Sequence, residues 1–281
     1  MIASQGFPTI TNWTLSMPVP VEFGRNCVEK MKVHLAGYHK ALLVTGAHAM
    51  RATGVTNRLC DLLDSAGIET RLFDRISAEP NYEEIEQAGQ LAKDFGAEVI
   101  VGCGGGSAID AAKAVAVAST HPGSIMEYVV NGPRPITGAT LPIVAISSTS
   151  GTGSHVGRVA VLSDRAHRIK RALISDYLYP RIAFCDPEIL KFMPREVTAT
   201  TGFDAFAQAL EGFLSRLENP LGNMCAQEAM RVIYHTLPKA LQNGNDLDLR
   251  HAMAWADTLA GISLATNAIV IPHSFSMVLG V

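Results

Sequence analysis

The sequence predicts an α/β domain built on a parallel sheet, residues 1–188, followed by an all-α domain, residues 189–281. Three observations lead there. Short apolar runs alternate with helix-spaced ones as far as Cys185, the order that βαβ units require. Beyond Asp186 the apolar residues recur only at helical spacing. And 281 residues with 48% apolar and 17% charged content can build a sizeable core and argue against disorder.

The first strand candidate is the apolar run 41–45, of the kind buried on both faces. Val55, Leu59, Leu62 and Leu63 follow at helical spacing, and 70–73 is a second strand candidate. Ile85, Ala88, Ala92 and Phe95 mark an amphipathic helix. Residues 98–102 form a third strand, leading through a glycine cluster into a helix over 108–118. Later strands are expected at 142–146, 158–162 and 182–185. Helices are expected over 196–217, interrupted at Gly202, then over 223–242 and 249–265. No Pro-, Gly- or Ser-rich linker separates the halves, so they should pack closely.

Lys plus Arg number 23 and Asp plus Glu 26, a net charge of −3. So balanced a chain points away from nucleic acid and from an anionic membrane. Cys27, Cys60, Cys103, Cys185 and Cys225 are odd in number and contain no C-x-x-C pair. That argues against a disulfide framework or a zinc knuckle and for a reduced, cytoplasmic protein. Residues 1–17 lack the basic start and long apolar run of a signal peptide. Residues 260–281 approach the length and apolarity of a membrane span, but Asn267, Pro272, His273 and three serines interrupt them. A buried helical region is expected instead. The chain stops inside that apolar stretch, which calls for more chain or for a partner copy, a homo-oligomer, to cover it.

The chemistry concentrates in three places. The first is Gly104-Gly105-Gly106-Ser107-Ala108-Ile109-Asp110-Ala111-Ala112-Lys113. Three glycines between a buried strand and a helix let backbone N–H groups approach a pyrophosphate, whose charge the helix N-terminus favours. Ser107 is placed to cap the helix and to donate to a phosphate oxygen. A plain glycine turn with a serine cap is the alternative. The run matches neither G-x-x-x-x-G-K-[ST] nor G-x-G-x-x-G. The second place is Ser147-Ser148-Thr149-Ser150-Gly151-Thr152-Gly153-Ser154, six hydroxyls and two glycines after a strand. Open α/β sheets bind ligands at that edge. The third is the run 201–211, in which Asp204 and Gln208 share a helix face among apolar neighbours. A part-buried carboxylate there needs a partner or a metal, and a capping or salt-bridged Asp is the alternative. His34, His39, His48, His121, His167, His235 and His251 show no ligand spacing. Met193, Met224, Met230 and Met253 read as core filling, and Glu83-Glu84 as a solvated helix face.

Taken in order, Gly-Gly-Gly-Ser-x-x-Asp-x-x-Lys, Thr-x-Gly-Thr-Gly-Ser and Gly-x-Asp-Ala with its closing Glu resemble the iron-containing (type III) alcohol dehydrogenases. Lys170-Arg171-Ala172 and the run 179–187 fit too, so the resemblance extends from about residue 18 to the end. Glycerol dehydrogenases and dehydroquinate synthases share the two-domain plan at a greater distance. The resemblance implies a Rossmann-like cofactor domain and hydride transfer between an alcohol or aldehyde and NAD(P). A divalent metal, iron or zinc, would polarise the substrate oxygen. It implies a cofactor resting on Gly104, Gly105, Gly106 and Ser107, with Asp110, Ser148, Thr149 and Thr152 around it and Lys170 at its ribose. Gly46 stands where NAD-using relatives commonly carry an Asp. With Arg51 nearby to attract a 2′-phosphate, that points to NADP.

The family's metal site, usually one Asp and three His, maps onto Asp204, Gln208 and His273. Here Gln208 replaces a His, Met277 replaces a second, and the Pro-His-Gly-like segment of the last ligand is lacking. Gly-Ser-Glu becomes Gly153-Ser154-His155. These departures imply a C-terminally truncated member with weak metal retention, since an amide oxygen is a poorer ligand than imidazole. A nucleotide-binding relative with impaired catalysis is the alternative, and no residue is assigned a catalytic role.

Overall fold

The computed structural model describes residues 13–217, 219–267 and 272–275. Six strands form one parallel sheet in the order β1-β8-β5-β4-β2-β3. They are β1 (Val21–Phe23), β2 (Lys40–Gly46), β3 (Glu69–Ile76), β4 (Val99–Gly104), β5 (Ile143–Ser147) and β8 (Ile182–Cys185). β4, β5 and β8 are buried along their whole length, which is why they read as unbroken apolar runs. On one face of the sheet lie α1 (Met31–His34), α2 (Ala49–Ala52) and α3 (Val55–Ser65). On the other lie α4 (Tyr82–Phe95) and α5 (Gly106–Ala118).

The chain thus leaves β2 towards one face and β4 towards the other. The crevice between their C-terminal ends, just beyond the Thr45–Cys103 pair, is a topological switch point, where such sheets bind ligands. α4 starts where the Asn81 side chain accepts the Tyr82 N–H, and ends at Gly96 in the left-handed conformation, φ 72°. The small residues of α5 have a packing reason. A Cβ on Gly102 of β4 would stand 2.5 Å from Ala112 Cβ, so helix and strand are in contact at backbone distance.

β6 (Val159–Asp164) and β7 (Ile169–Ile174) form a separate antiparallel hairpin. Sequence patterning shows neither β1 nor β7. β1 has only three residues, and β7 is a mostly half-exposed strand carrying Lys170 and Arg171.

α6 (Pro187–Leu190), a single turn capped by Asp186, leads into α7 (Arg195–Leu214), α8 (Pro220–Gln242) and α9 (Leu247–Asn267). These helices pack around Ala205, Ala209, Ala229, Ile233, Met253 and Ala260. The expected interruption at Gly202 does not occur. α7 runs through it, and a Cβ there would meet Leu237 Cδ1 of α8 at 2.6 Å; the glycine serves helix contact. Arg250 is fully buried, with no carboxylate paired to it among the described residues. Its guanidinium donates to the Gly244 carbonyl (2.7 Å), Thr198 Oγ1 (2.7 Å) and the Met193 carbonyl (2.8 Å).

Two further expectations are corrected. Met193 and Met253 are buried and Met230 packs against the helical core, but Met224 is 63% exposed because it lies on the outer side of α8. Within the stretch 260–281, residues 260–267 are buried or half-buried; in the helical turn 272–275 only His273 is half-buried and the other three residues are exposed, and residues 268–271 and 276–281 lie outside the described residues. Met277 and residues 1–12 of the N-terminal stretch lie outside the described residues. Among the described residues no helix is long and apolar enough to cross a membrane.

Candidate active site

β4 ends and α5 begins on three consecutive glycines. Gly104 has φ 154°, and a Cβ there would stand 2.6 Å from Ala108 Cβ. Only glycine lets the strand turn this tightly into the helix. Gly105 is the N-cap. Ser107 is not a cap, contrary to expectation: it already lies in the first turn and donates its hydroxyl to the Ala78 carbonyl. The Ala108 N–H donates to the Gly105 carbonyl at 3.1 Å, while among the described residues the Gly106 and Ser107 amides have neither an intrahelical acceptor nor a capping side chain.

Thr149 and Thr152 stand over this turn. An added Cβ on Gly105 would lie 3.2 Å from Thr149 Oγ1, and one on Gly106 would lie 2.6 Å from Thr152 Oγ1. The Ser148 N–H donates to the Gly104 carbonyl at 2.9 Å, tying the hydroxyl loop to the glycines. Gly46 ends the neighbouring strand, one step beyond the Thr45–Cys103 pair. The structure thus gathers Gly46, Gly104, Gly105, Gly106, Ser107, Ser148, Thr149 and Thr152 at the switch point.

Asp110, Lys170 and Arg51 are placed otherwise. Asp110 turns inward, accepting from the Ser154 hydroxyl at 2.5 Å and from the Val161 N–H at 3.0 Å. Both its oxygens are engaged by the protein, so it pins α5 to β6 rather than facing a cofactor. Lys113 is fully buried and donates to the Ser154 carbonyl, Ser154 Oγ and the Val159 carbonyl, each at 2.8 Å. Burial pushes its ammonium down to about 8, against the attraction of Asp110. Lys170 Nζ is held by Glu79 Oε1 at 2.9 Å. Arg51, expected to be free for a 2′-phosphate, is ion-paired with Asp74 of β3.

A second cluster lies on α7. Asp204 and Gln208 are one turn apart, and Gln208 Nε2 donates to Asp204 Oδ2 at 3.1 Å. His273 joins them, with Nε2 3.3 Å from Asp204 Oδ1 and Nδ1 2.5 Å from Glu211 Oε1. Hydrogen bonding to Asp204, and then to Glu211, raises the imidazole to about 9 against the opposing effect of burial. The three expected ligands therefore converge. Gln208 Oε1 is buried and has no hydrogen-bond partner among the described residues. An orphaned carbonyl oxygen beside a carboxylate and an imidazole is a donor set that suits a divalent cation. Two ligands on one tetrahedral ion with bonds of ~2.1 Å stand about 3.4 Å apart, close to the 3.3 Å between His273 Nε2 and Asp204 Oδ1. Among the described residues, no group of three or more His, Cys, Asp or Glu is arranged to hold a metal.

Sequence reasoning assigned no role to Glu211, although its spacing from Asp204 and Gln208 puts all three on one helix face. Asp74, Glu79 and Asp257 had no local signal, because each meets its partner from a distant element.

Residues 18–187 match the iron-containing alcohol dehydrogenase family, and residues 198–281 match the C-terminal part of the Fe-containing alcohol dehydrogenase family. The chain belongs to the iron-containing alcohol dehydrogenases. It is 31% identical over 266 residues to the NAD-dependent methanol dehydrogenase of Bacillus methanolicus, covering 94% of this chain and 69% of that one. It is 33% identical to the choline dehydrogenase of Bacillus subtilis, over 95% of this chain and 67% of the relative. Among solved structures, an archaeal alcohol dehydrogenase from a Red Sea brine pool superposes with TM-score 0.91 at 30% identity, covering 96% of this chain and 70% of that one. The sulfoacetaldehyde reductase of Bifidobacterium kashiwanohense, in complex with NAD+, gives 0.89 at 31% identity, covering 95% and 71%. Like other iron-containing alcohol dehydrogenases, this chain is an oxidoreductase that moves a hydride between an alcohol or aldehyde and a nicotinamide cofactor, with a metal assisting.

Proposed function

We propose that this iron-containing alcohol dehydrogenase binds its nicotinamide cofactor on the α/β domain, residues 1–188, and metal and substrate on the helical domain, residues 189–281. One observation carries the reading: Thr149 and Thr152 stand over the uncapped first turn of α5 at the switch point of the sheet. Gly104, Gly105 and Gly106 keep that turn bare, so a pyrophosphate can reach its amides. The hydroxyls of Ser148, Thr149 and Thr152 would donate to phosphate oxygens, and that of Ser107 would do so on leaving the Ala78 carbonyl. Gly46 leaves room at the end of β2, and Lys170 would serve the ribose side only on leaving Glu79.

Asp204, Gln208 and His273 would hold the divalent ion. When bound, iron or zinc polarises the alcohol or carbonyl oxygen and lowers the alcohol's pKa. Glu211 accepts the proton on His273 Nδ1, so that Nε2, which donates to Asp204 in the metal-free protein, would be the atom that gives up its proton and turns a lone pair to the ion.

The substrate is a small alcohol or aldehyde, the class named for relatives that act on methanol, choline or 1,3-propanediol. Of the two cofactors the Arg51–Asp74 pair favours NAD, because it neutralises the guanidinium and adds a carboxylate that repels a 2′-phosphate. The five free cysteines support a cytoplasmic setting. The test is Gly105→Leu. The larger side chain should meet Thr149, fill the cradle and abolish NADH binding in a fluorescence titration. Binding at parental affinity would place the site elsewhere.

A further inference from the structure

The hydroxyl loop is held from the helical side as well. Gly151 lies against α7, where an added Cβ would stand 2.6 Å from Thr201 Cβ. Gly153, at φ 59°, lies against α9, where a Cβ would stand 2.3 Å from Gly261 Cα. Between them, Asp257 of α9 is 2% exposed and accepts the Gly153 N–H at 2.8 Å. The Gly151 N–H supports the same carboxylate.

His155, at the position where the family pattern has Glu, is 1% exposed beside it. Its Nε2 is 3.0 Å from Thr258 Oγ1 and its Nδ1 is 3.9 Å from Asp257 Oδ2. The Thr258 hydroxyl hydrogen goes to the Ala254 carbonyl at 2.9 Å. Thr258 Oγ1 therefore accepts from His155 Nε2–H, which turns Nδ1 towards the carboxylate. At 3.9 Å the two atoms are too far apart for a direct hydrogen bond, and a proton on either one lowers the repulsion between their lone pairs. Burial acts to the same end, raising Asp257 to about 7 and lowering His155 to about 4. The other charges that act on the pair are Lys113 of α5, on His155, and Asp204 of α7, on Asp257.

We propose that Asp257, completed by His155, is a positioning residue for the cofactor: from α9 it fixes the backbone at Gly153 and thereby the Thr149 and Thr152 hydroxyls over the first turn of α5. The proposal rests on the reading of that turn as the cofactor site. It also accounts for a histidine in place of the family's Glu, since a second buried carboxylate beside Asp257 would be repelled.

The test uses the whole chain, with NADH affinity from fluorescence titration and amide exchange over residues 148–156. Asp257→Ala leaves the Gly153 N–H without its acceptor. It should weaken NADH binding about tenfold and speed exchange at Gly151 and Gly153. Asp257→Asn keeps the acceptor and offers an N–H to His155 Nδ1, so it should restore both readouts to parental values. Should Asp257→Ala not fold, His155→Ala carries the test with an expected loss of about threefold. Parental NADH affinity in the folded alanine variant, while Gly105→Leu has lost binding, would overturn the positioning role and leave the site intact. Failure of Asp257→Asn to rescue would also overturn it. Parental binding by Gly105→Leu would overturn the cofactor reading and the proposal together.

Discussion

Thr152 stands so close over Gly106 that a methyl group on the glycine would lie 2.5 Å from Thr152 Cγ2. Gly106→Ala should therefore destabilise the fold by about 1–3 kcal/mol, an overpacking cost, and weaken NADH binding. Adding Thr152→Ala removes the two nearest clashing atoms and leaves only Thr152 Cβ, at 2.9 Å. The double variant should regain most of the parental urea midpoint without regaining NADH affinity, because the hydroxyl is gone. Recovery of both would show that Thr152 contributes shape and not a hydrogen bond.

Gln208 gives the second cluster a neutral oxygen where imidazole would bind more strongly. Gln208→His should tighten Zn(II) binding by at least about tenfold. Competition against a chromophoric chelator measures it, and unchanged affinity would exclude residue 208 from the shell.

His273 links proton binding to stability. Its folded value, about 9, lies above the ordinary 6.5 because of Asp204 and Glu211. A cation favoured in the fold stabilises it fully below the unfolded value and loses that contribution as pH rises through the folded one. Metal-free protein should lose on the order of 2–3 kcal/mol from this source between about pH 6.5 and about pH 9. His273→Ala should flatten that part of the urea-midpoint profile relative to the parent. Parallel profiles would refute the ion pairing. The same proton competes with a metal for Nε2, so metal affinity should rise across this window.

Asp74 holds Arg51. Asp74→Asn should release the guanidinium and shift the ratio of NAD to NADP dissociation constants towards NADP by about tenfold. An unchanged ratio would remove the pair from the cofactor's reach.

What is legible in the sequence is what local pattern decides. β4 and β5 show as apolar runs because both their faces are covered. The glycines and the hydroxyl loop show because their function lies in consecutive residues. Asp204 and Gln208 show through helix periodicity. Asp110 misleads: its motif position suggests a ligand contact, yet Ser154 and Val161, both more than forty residues away, engage its two oxygens. The Gly153–Asp257 bond spans 104 residues, and only the packing of α9 against the sheet domain creates it. β1 is too short to stand out against its neighbours.

The contact of Gly153 with Gly261 has a mechanical consequence. The two parts of the molecule touch there backbone to backbone, with no side chain between them to compress or swing aside. A methyl group at residue 261 would stand 2.7 Å from Gly153 Cα and 2.7 Å from Val156 Cγ2, so the separation of the hydroxyl loop from α9 is set by the missing side chains of two glycines.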